Sequence, residues 1–180
     1  MLLDAGRSCL LIVDVQERLA PAIADIDAVV DRISILMRAA ARLSVPMLVS
    51  EQYPKGLGPT IAPVAALAPD GVTAEKTEFS AAANPGIRAR LAGLGRPQSL
   101  VCGIEAHVCV LQTVLELREA GRQVFVVRDA CGSRKPANAE AGFARMAACG
   151  ADIVTSEMVV FEWLRRADSP LFREVSKLIK

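Results

Sequence analysis

Histidine is almost absent from this chain: among its 180 residues, His107 is the only one. A single imidazole cannot build the multi-histidine sites that usually hold catalytic zinc or non-haem iron. The five cysteines are an odd number, and no two of them form a Cys-x-x-Cys pair. We therefore expect no metal, no other cofactor and no disulfide framework, but reduced thiols of the kind found in cytoplasmic proteins.

The chain also lacks an excess of charge and long apolar runs. Its formal net charge is +1, without basic stretches interleaved with aromatic residues, which argues against nucleic acid or an acidic membrane as a partner. The apolar run Cys9–Val13 ends at Asp14, shows no signal-peptide pattern and is far shorter than the ~20 residues of a membrane span. We expect a cytoplasmic protein that acts on a small molecule.

What the sequence does have is a large apolar fraction, 52% of all residues. For a chain of this length that fraction exceeds what one core requires, and it predicts further burial between identical subunits. We therefore expect a single domain over residues 1–180 that assembles into a homo-oligomer.

Short apolar runs rich in β-branched residues alternate with longer segments of helical spacing. The runs predict strands at 8–15, 45–51, 71–79, 98–104, 123–129 and 151–156. The helical spacing predicts helices at 25–43, 84–95, 135–150, 157–167 and 169–179, and one within 103–121 that begins one or two residues before Cys109. This alternation is typical of a parallel sheet covered by helices on both faces. The segment 52–60, with two prolines and two glycines, is predicted as a long functional loop.

Three reactive side chains are predicted to meet at one edge of this sheet, because ligands of open parallel sheets bind beyond the carboxyl ends of the strands. Asp14 follows the first strand, Lys76 lies near the end of the third, and Cys109 follows the fourth. A helix start and a nearby ammonium are both expected to lower the pKa of a thiol. Asp14 can then act as general base and acid, and backbone N–H groups of the turn 104–109 can stabilise an oxyanion.

Each of these residues also has a simpler interpretation. Cys109 can be a small core residue, Asp14 can cap a loop, and Lys76 can be a solvated lysine at a strand end. The only histidine, His107, stands two positions before Cys109, and residues at that spacing do not face each other on a helix. We interpret His107 as a turn or pocket-wall residue and not as the base of a Cys–His pair.

The segments LLIVDVQERL, SEQYPKGLGPT, EKTEF and VCGIEAHVCVLQTVLELREAGRQVFVVRDACGSR, taken together, resemble the isochorismatase-like cysteine hydrolases over residues 8–165. The resemblance implies a three-layer α-β-α fold with an open six-stranded parallel sheet of order 3-2-1-4-5-6. It places a catalytic triad on Asp14, Lys76 and Cys109, an oxyanion hole on the backbone amides of Glu105 and Cys109, and a non-proline cis peptide between Ile104 and Glu105. The substrate-binding residues that we expect around the triad are Leu19, Gln52, Tyr53, Phe79, His107 and Val108.

Two departures from the family pattern shape the functional prediction. No histidine follows the second strand, which argues against a metal-dependent nicotinamidase, and the retained cysteine favours thiol chemistry over ether hydrolysis. Our hypothesis is a metal-independent hydrolase that cleaves a small amide-like C–N substrate through an S-acyl intermediate on Cys109. The alternatives are an isochorismatase-type ether hydrolase, a thiol enzyme in which Cys109 forms a sulfenic acid, and a catalytically silent oligomeric scaffold of the same fold.

Overall fold

A computed structural model describes residues 1–179 of the chain. Within this range one sheet contains β1 (Ser8–Val13), β2 (Met47–Gln52), β3 (Thr73–Lys76), β4 (Gln98–Ile104), β5 (Gln123–Gly132) and β6 (Asp152–Val154). All neighbouring strands are parallel, and their order is β3-β2-β1-β4-β5-β6. This order confirms the predicted sheet.

The helices are α1 (Ile26–Arg42), α2 (Pro54–Leu57), α3 (Ala62–Ala65), α4 (Pro85–Gly93), α5 (Leu111–Glu119), α6 (Pro136–Ala148), α7 (Ser156–Leu164) and α8 (Phe172–Val175). A π-helical turn at Ala106–Val110 leads into α5, and 3₁₀ turns lie at Ala20–Ala22 and Ser176–Ile179. Helix α1 packs against α7, and α5 packs against α6. Together with the sheet these pairs form the predicted three layers. No helix within residues 1–179 has the length and apolarity that crossing a membrane would require.

The central strands are mostly apolar and are buried along their whole length, because helices cover both faces of the sheet. Every residue of β1, β2 and β4 is buried. Helix α1 turns one apolar side toward the sheet and buries Val29, Val30, Ile33, Leu36, Met37, Ala39 and Ala40. Helix α4 begins where predicted, with Pro85 in its first turn and the Asn84 side chain accepting hydrogen bonds from two of its free N–H groups.

Several predicted boundaries were wrong, and each difference has a local cause. Strand β3 ends at Lys76 instead of continuing to residue 79, because the chain turns back and brings two carbonyl groups onto the Lys76 ammonium. Helix α7 ends at Leu164 because Arg165 adopts a left-handed conformation with φ of 61°. The single helix predicted over 169–179 is the short α8 followed by a 3₁₀ turn. The loop predicted over 52–60 contains α2.

Candidate active site

The three predicted reactive residues lie together at the carboxyl edge of the sheet. Asp14 directly follows β1, Lys76 is the last residue of β3, and Cys109 lies in the π-helical turn after β4. The Lys76 Nζ is 2.6 Å from the Asp14 Oδ2, and the Cys109 thiol is close enough to the same carboxylate for their charges to interact. All three are buried, with 0%, 3% and 6% of Asp14, Lys76 and Cys109 exposed.

A close approach of two backbones brings β1 and the turn after β4 together. Gly103 pairs with Val13 and has a φ of 123°, which side chains rarely tolerate. A Cβ atom at Gly103 would lie 2.1 Å from the Val13 carbonyl oxygen. Asp14 itself has a φ of 54°, so the chain turns sharply as soon as β1 ends. The contact therefore sets how near Asp14 comes to the turn that contains Cys109.

The Asp14 carboxylate is held at both oxygens. Ser50, at the carboxyl end of the neighbouring β2, donates from its Oγ to Oδ1 at 2.7 Å, while Lys76 donates to Oδ2. Burial raises the pKa of Asp14, and the charge and hydrogen bond of Lys76 oppose that rise. The sequence analysis missed Ser50. The pattern that could have identified it is a polar residue that follows the apolar run MLV near the end of a predicted strand.

The Lys76 ammonium is removed from water and has four acceptors around it. Besides Asp14, Nζ donates to the Gln52 Oε1 at 2.6 Å and to the backbone carbonyls of Glu78 and Phe79, both at 3.1 Å. A buried charge is tolerated only when it is paired and hydrogen-bonded in this way. The arrangement fixes the ammonium against Asp14.

Gln52, which we expect in the substrate pocket, hydrogen-bonds Lys76. Its Oε1 accepts from Lys76, and its Nε2 donates to the Thr77 carbonyl at 2.8 Å. The Gln52 backbone is held in turn by Gln16, whose side chain donates to the Gln52 carbonyl and accepts from the Gln52 N–H. Both amide groups of Gln52 are engaged within the protein, and Gln16 is a supporting residue that the sequence analysis missed.

The predicted lowering of the Cys109 pKa is wrong. Burial, followed by the negative charge of Asp14, raises the pKa of this thiol to about 12, and the opposing effect of Lys76 is smaller. Cys109 is the fourth residue of the π-helical turn, so it does not occupy the helix start that would favour a thiolate most. The thiol is therefore protonated at neutral pH.

Backbone geometry beside the thiol leaves one amide available to a ligand. The Ile104–Glu105 peptide bond is cis. The Glu105 carbonyl accepts from the N–H groups of Val108 and Val110, whereas the Glu105 N–H donates to no acceptor among residues 1–179. The Cys109 amide lies in the same turn. Free N–H groups beside a nucleophile are the donors that an oxyanion needs.

The other expected pocket residues differ in their placement. Leu19 and Val108 are half-buried against the core. The side chains of Tyr53 and Phe79 are exposed, and the Tyr53 ring lies close to Gly56. His107 contacts the loop after β5, with its Nδ1 2.9 Å from the Ser133 Oγ, and no hydrogen bond joins it to the triad residues among residues 1–179.

A cavity adjoins Lys76. It has a volume of about 290 Å³, opens beside Lys76 and includes Tyr53 and Asn84 in its wall. A larger cavity, of about 810 Å³, lies between α1 and Pro63–Leu67, away from the triad. Across residues 1–179, no three His, Cys, Asp or Glu side chains are grouped as a metal ion would require.

Comparison with known proteins identifies the family. The isochorismatase domain model matches residues 8–158. Isochorismatase domain-containing protein 2A of Mus musculus is 40% identical over 174 residues, which cover 96% of this chain and 82% of the mouse protein. The solved structure of MAR1 ribonuclease from Caenorhabditis elegans has a TM-score of 0.93 and 36% identity, over 99% of this chain and 92% of that chain. YcaC from Pseudomonas aeruginosa, solved with hexane-2,5-diol and covalent acrylamide, has a TM-score of 0.92 and 26% identity, over 98% of this chain and 91% of that chain. The chain belongs to the isochorismatase family.

Proposed function

We propose that this protein is a metal-independent hydrolase that cleaves a small amide-like C–N substrate through an S-acyl intermediate on Cys109. The observation that carries the proposal is one buried carboxylate, Asp14, that lies beside a thiol and is paired with an ammonium. Membership of a hydrolase family supports it, and so does the presence of both a nucleophile and a base in one buried site.

Acylation begins from the neutral thiol. Because the Cys109 pKa is raised to about 12, the proton moves to Asp14 as the sulfur attacks, and no thiolate has to form beforehand. The Sγ bonds to the substrate carbonyl carbon, and the developing oxyanion accepts hydrogen bonds from the Glu105 and Cys109 amides. Asp14 then gives the proton to the leaving nitrogen, the C–N bond breaks, and an S-acyl enzyme remains.

Deacylation uses the same groups in the reverse roles. Asp14 takes a proton from water, whose oxygen attacks the thioester carbonyl, and the C–S bond breaks as the acid product forms. The proton on Asp14 returns to the Cys109 sulfur. The Lys76 ammonium favours the ionised form of Asp14, while Gln52 keeps the ammonium in place.

Substrate contacts are proposed for the residues that the sequence analysis expected around the triad, Leu19, Gln52, Tyr53, Phe79, His107 and Val108. Most of them are apolar or aromatic, whereas the polar groups are the triad and the backbone amides. A small amide with an apolar substituent fits this division, because its carbonyl and nitrogen would face the polar groups.

The experiment is turnover of a library of small primary amides and N-carbamoyl compounds, with intact-protein mass spectrometry during the reaction. We expect an acyl adduct that maps to Cys109, loss of turnover in Cys109→Ala, and normal turnover in Cys149→Ala. Cys149 is a matched control because it lies at the end of α6, where its half-buried thiol donates to the Met146 carbonyl of the same helix. Undiminished turnover by Cys109→Ala would refute the proposal.

Ribonuclease activity is the second candidate, since the C. elegans relative bears that name. The same wild-type and Cys109→Ala proteins are therefore assayed on single-stranded RNA and on isochorismate. We expect neither to be cleaved, because the only histidine is bound to Ser133 and the chain has no excess of positive charge. RNA cleavage that requires Cys109 would replace the amide proposal.

A further inference from the structure

An ion pair connects the turn before Cys109 to the loop after β5. The Glu105 carboxylate, only 8% exposed, accepts from the Arg134 backbone N–H at 2.9 Å and from the Arg134 Nε at 3.1 Å on both oxygens. Charge-assisted hydrogen bonds of this kind are strong and fix the relative orientation of their partners. The Arg134 side chain is 63% exposed, so the pair lies where a buried group meets solvent.

A second contact ties the same two segments. His107 lies two residues after Glu105, and its Nδ1 is 2.9 Å from the Oγ of Ser133, the neighbour of Arg134. Glu105 and His107 are thus bound to Arg134 and Ser133, two consecutive residues of the loop.

Helix α6 packs closely against the backbone of the same turn. At Gly142, an added Cβ would lie 3.1 Å from the His107 Cα and 3.2 Å from the Ala106 carbonyl oxygen. The turn is therefore held by two hydrogen-bonded contacts and one close packing contact, which leave little freedom in its backbone.

Glu105, the residue with the free amide, is itself held by several contacts. Glu105 binds Arg134 through its side chain and accepts two hydrogen bonds at its carbonyl, but its N–H has no protein acceptor among residues 1–179. An oxyanion donor works only when it points at the position of the developing charge within a few tenths of an ångström. Anchoring the side chain and the carbonyl of a residue restricts where its N–H can point.

We infer that the Glu105–Arg134 ion pair is a positioning device for the oxyanion site, which holds the Glu105 N–H toward the substrate carbonyl oxygen without either side chain touching the substrate. The inference rests on the proposed function, because it assigns a purpose to the free amide beside Cys109. Arg134 becomes a positioning residue that neither the sequence patterns nor the triad geometry had singled out.

The test compares two small uncharged amides that both alkylate thiols. Acrylamide adds its β-carbon to the Cys109 sulfur, its carbonyl oxygen takes up the negative charge, and the α-carbon then receives the proton. Iodoacetamide forms its S–C bond by displacing iodide, and no charge develops on its carbonyl oxygen. Only the acrylamide rate therefore reports the state of the oxyanion site, and neither rate requires catalytic turnover.

We expect Arg134→Ala to slow acrylamide addition at Cys109 by ~10-fold or more, with the iodoacetamide rate about unchanged. Glu105→Gln should have the same selective effect, and the double variant should be no slower than either single variant, because both remove one interaction. Arg134→Lys should recover part of the rate.

Arg128→Ala is the matched control, since Arg128 lies on β5 and forms an exposed ion pair with Glu140. Thermal unfolding verifies that each variant is folded. If Glu105→Gln does not fold, the substitution of the exposed Arg134 still tests the inference.

Three results would overturn the inference. One is an equal loss of both alkylation rates in Arg134→Ala, which would indicate a purely structural role; another is no loss of either. The third is failure of acrylamide to modify wild-type Cys109, because a formed oxyanion site must stabilise that addition. Amide turnover by the wild type is measured separately, so a selective acrylamide effect without turnover would uphold the positioning role and refute the amidase proposal.

Discussion

Asp14 is the residue on which the proposed mechanism depends. Its carboxylate has no exposure to solvent, so its ionised form relies on hydrogen bonds from Ser50 and Lys76. Burial, followed by the same negative charge, raises the pKa of the Cys109 thiol to about 12. In the proposed mechanism the proton is therefore transferred as the sulfur attacks, in contrast to cysteine enzymes that store a thiolate.

The pH dependence of amide turnover follows from these two groups. Asp14 must be ionised to accept the thiol proton, and burial raises its pKa above the value of about 3.9 of an exposed aspartate. We expect kcat/KM to fall on the acid side at a higher pH than an exposed aspartate would give. On the alkaline side no thiol ionisation should appear below about pH 10, because the Cys109 pKa is about 12. An alkaline limb near pH 8 that is absent from Cys109→Ser would contradict this assignment.

Removing one charge of the buried Asp14–Lys76 ion pair should destabilise the fold more, per substitution, than removing both charges together. Lys76→Met leaves the Asp14 charge uncompensated, and Asp14→Asn does the same to Lys76, at a cost of about 3–5 kcal/mol each in the free energy of unfolding. The double variant should lose less than the sum, because neither charge remains. Urea unfolding of the four proteins measures this coupling.

The exposed pair Arg128–Glu140 is the control for that cycle. Because water solvates each partner on its own, Arg128→Met and Glu140→Gln should change the unfolding free energy little, alone or together. Additive losses at Asp14 and Lys76 would show that the two charges do not stabilise each other.

At the level of elements, the site depends on how the end of β4 meets the end of β1. The backbones approach at Gly103 and Val13; Glu105, with its free amide, follows, and then the π-helical turn that carries Cys109. Because the turn is continuous with α5 and bound to the loop after β5, Cys109 lies on a rigid junction of secondary structure. Rigid support is what precise catalytic geometry requires.

Gly103→Ala should therefore damage the whole junction. The alanine Cβ would lie 2.1 Å from the Val13 carbonyl oxygen, and the φ of 123° is unfavourable for alanine. We therefore expect the free energy of unfolding to fall by about 3–5 kcal/mol, as in severe core variants. Gly93→Ala in α4 is the matched control. No atom lies within 4 Å of its Cβ position, and alanine should stabilise that helix by about 0.5–1 kcal/mol. Equal unfolding midpoints for the two variants would contradict this view of the junction.

The whole molecule has the surface of an ordinary compact monomer. Its accessible area is 8407 Å², against ~8,400 Å² for a folded chain of 19.1 kDa. Within residues 1–179, six large apolar or aromatic side chains are nevertheless exposed: Met1, Leu2, Tyr53, Phe79, Met158 and Phe161. A compact shape with exposed apolar side chains is compatible with subunits that associate through preformed surfaces.

We predict a homo-oligomer in solution, from the 52% apolar composition and these exposed side chains. Light scattering coupled to size-exclusion chromatography should give a mass that is a multiple of 19.1 kDa at micromolar concentration. Sedimentation velocity across a range of protein concentrations provides an independent check. A stable 19.1 kDa species throughout that range would show the prediction to be wrong.

The sequence by itself determined the strand and helix order and the edge at which the reactive residues meet. Strand β4 was predicted at its observed bounds because continuous apolar runs between helical segments are a local signal. Asp14, Lys76 and Cys109 could be placed together because each lies at or just after the end of a parallel strand, and such ends share one edge. Helix ends such as Arg165 escaped prediction, since a single left-handed residue leaves no periodic pattern.

Only the tertiary structure decided the state of the thiol and the roles of its neighbours. The sequence suggested a lowered Cys109 pKa from a helix start and a lysine, but burial and the Asp14 charge outweigh both. It likewise could not show that Gln52 supports Lys76 or that Arg134 binds Glu105. The physical reason is that desolvation and charge pairing depend on groups brought together from distant parts of the chain, whereas secondary structure follows from residues that are close in sequence.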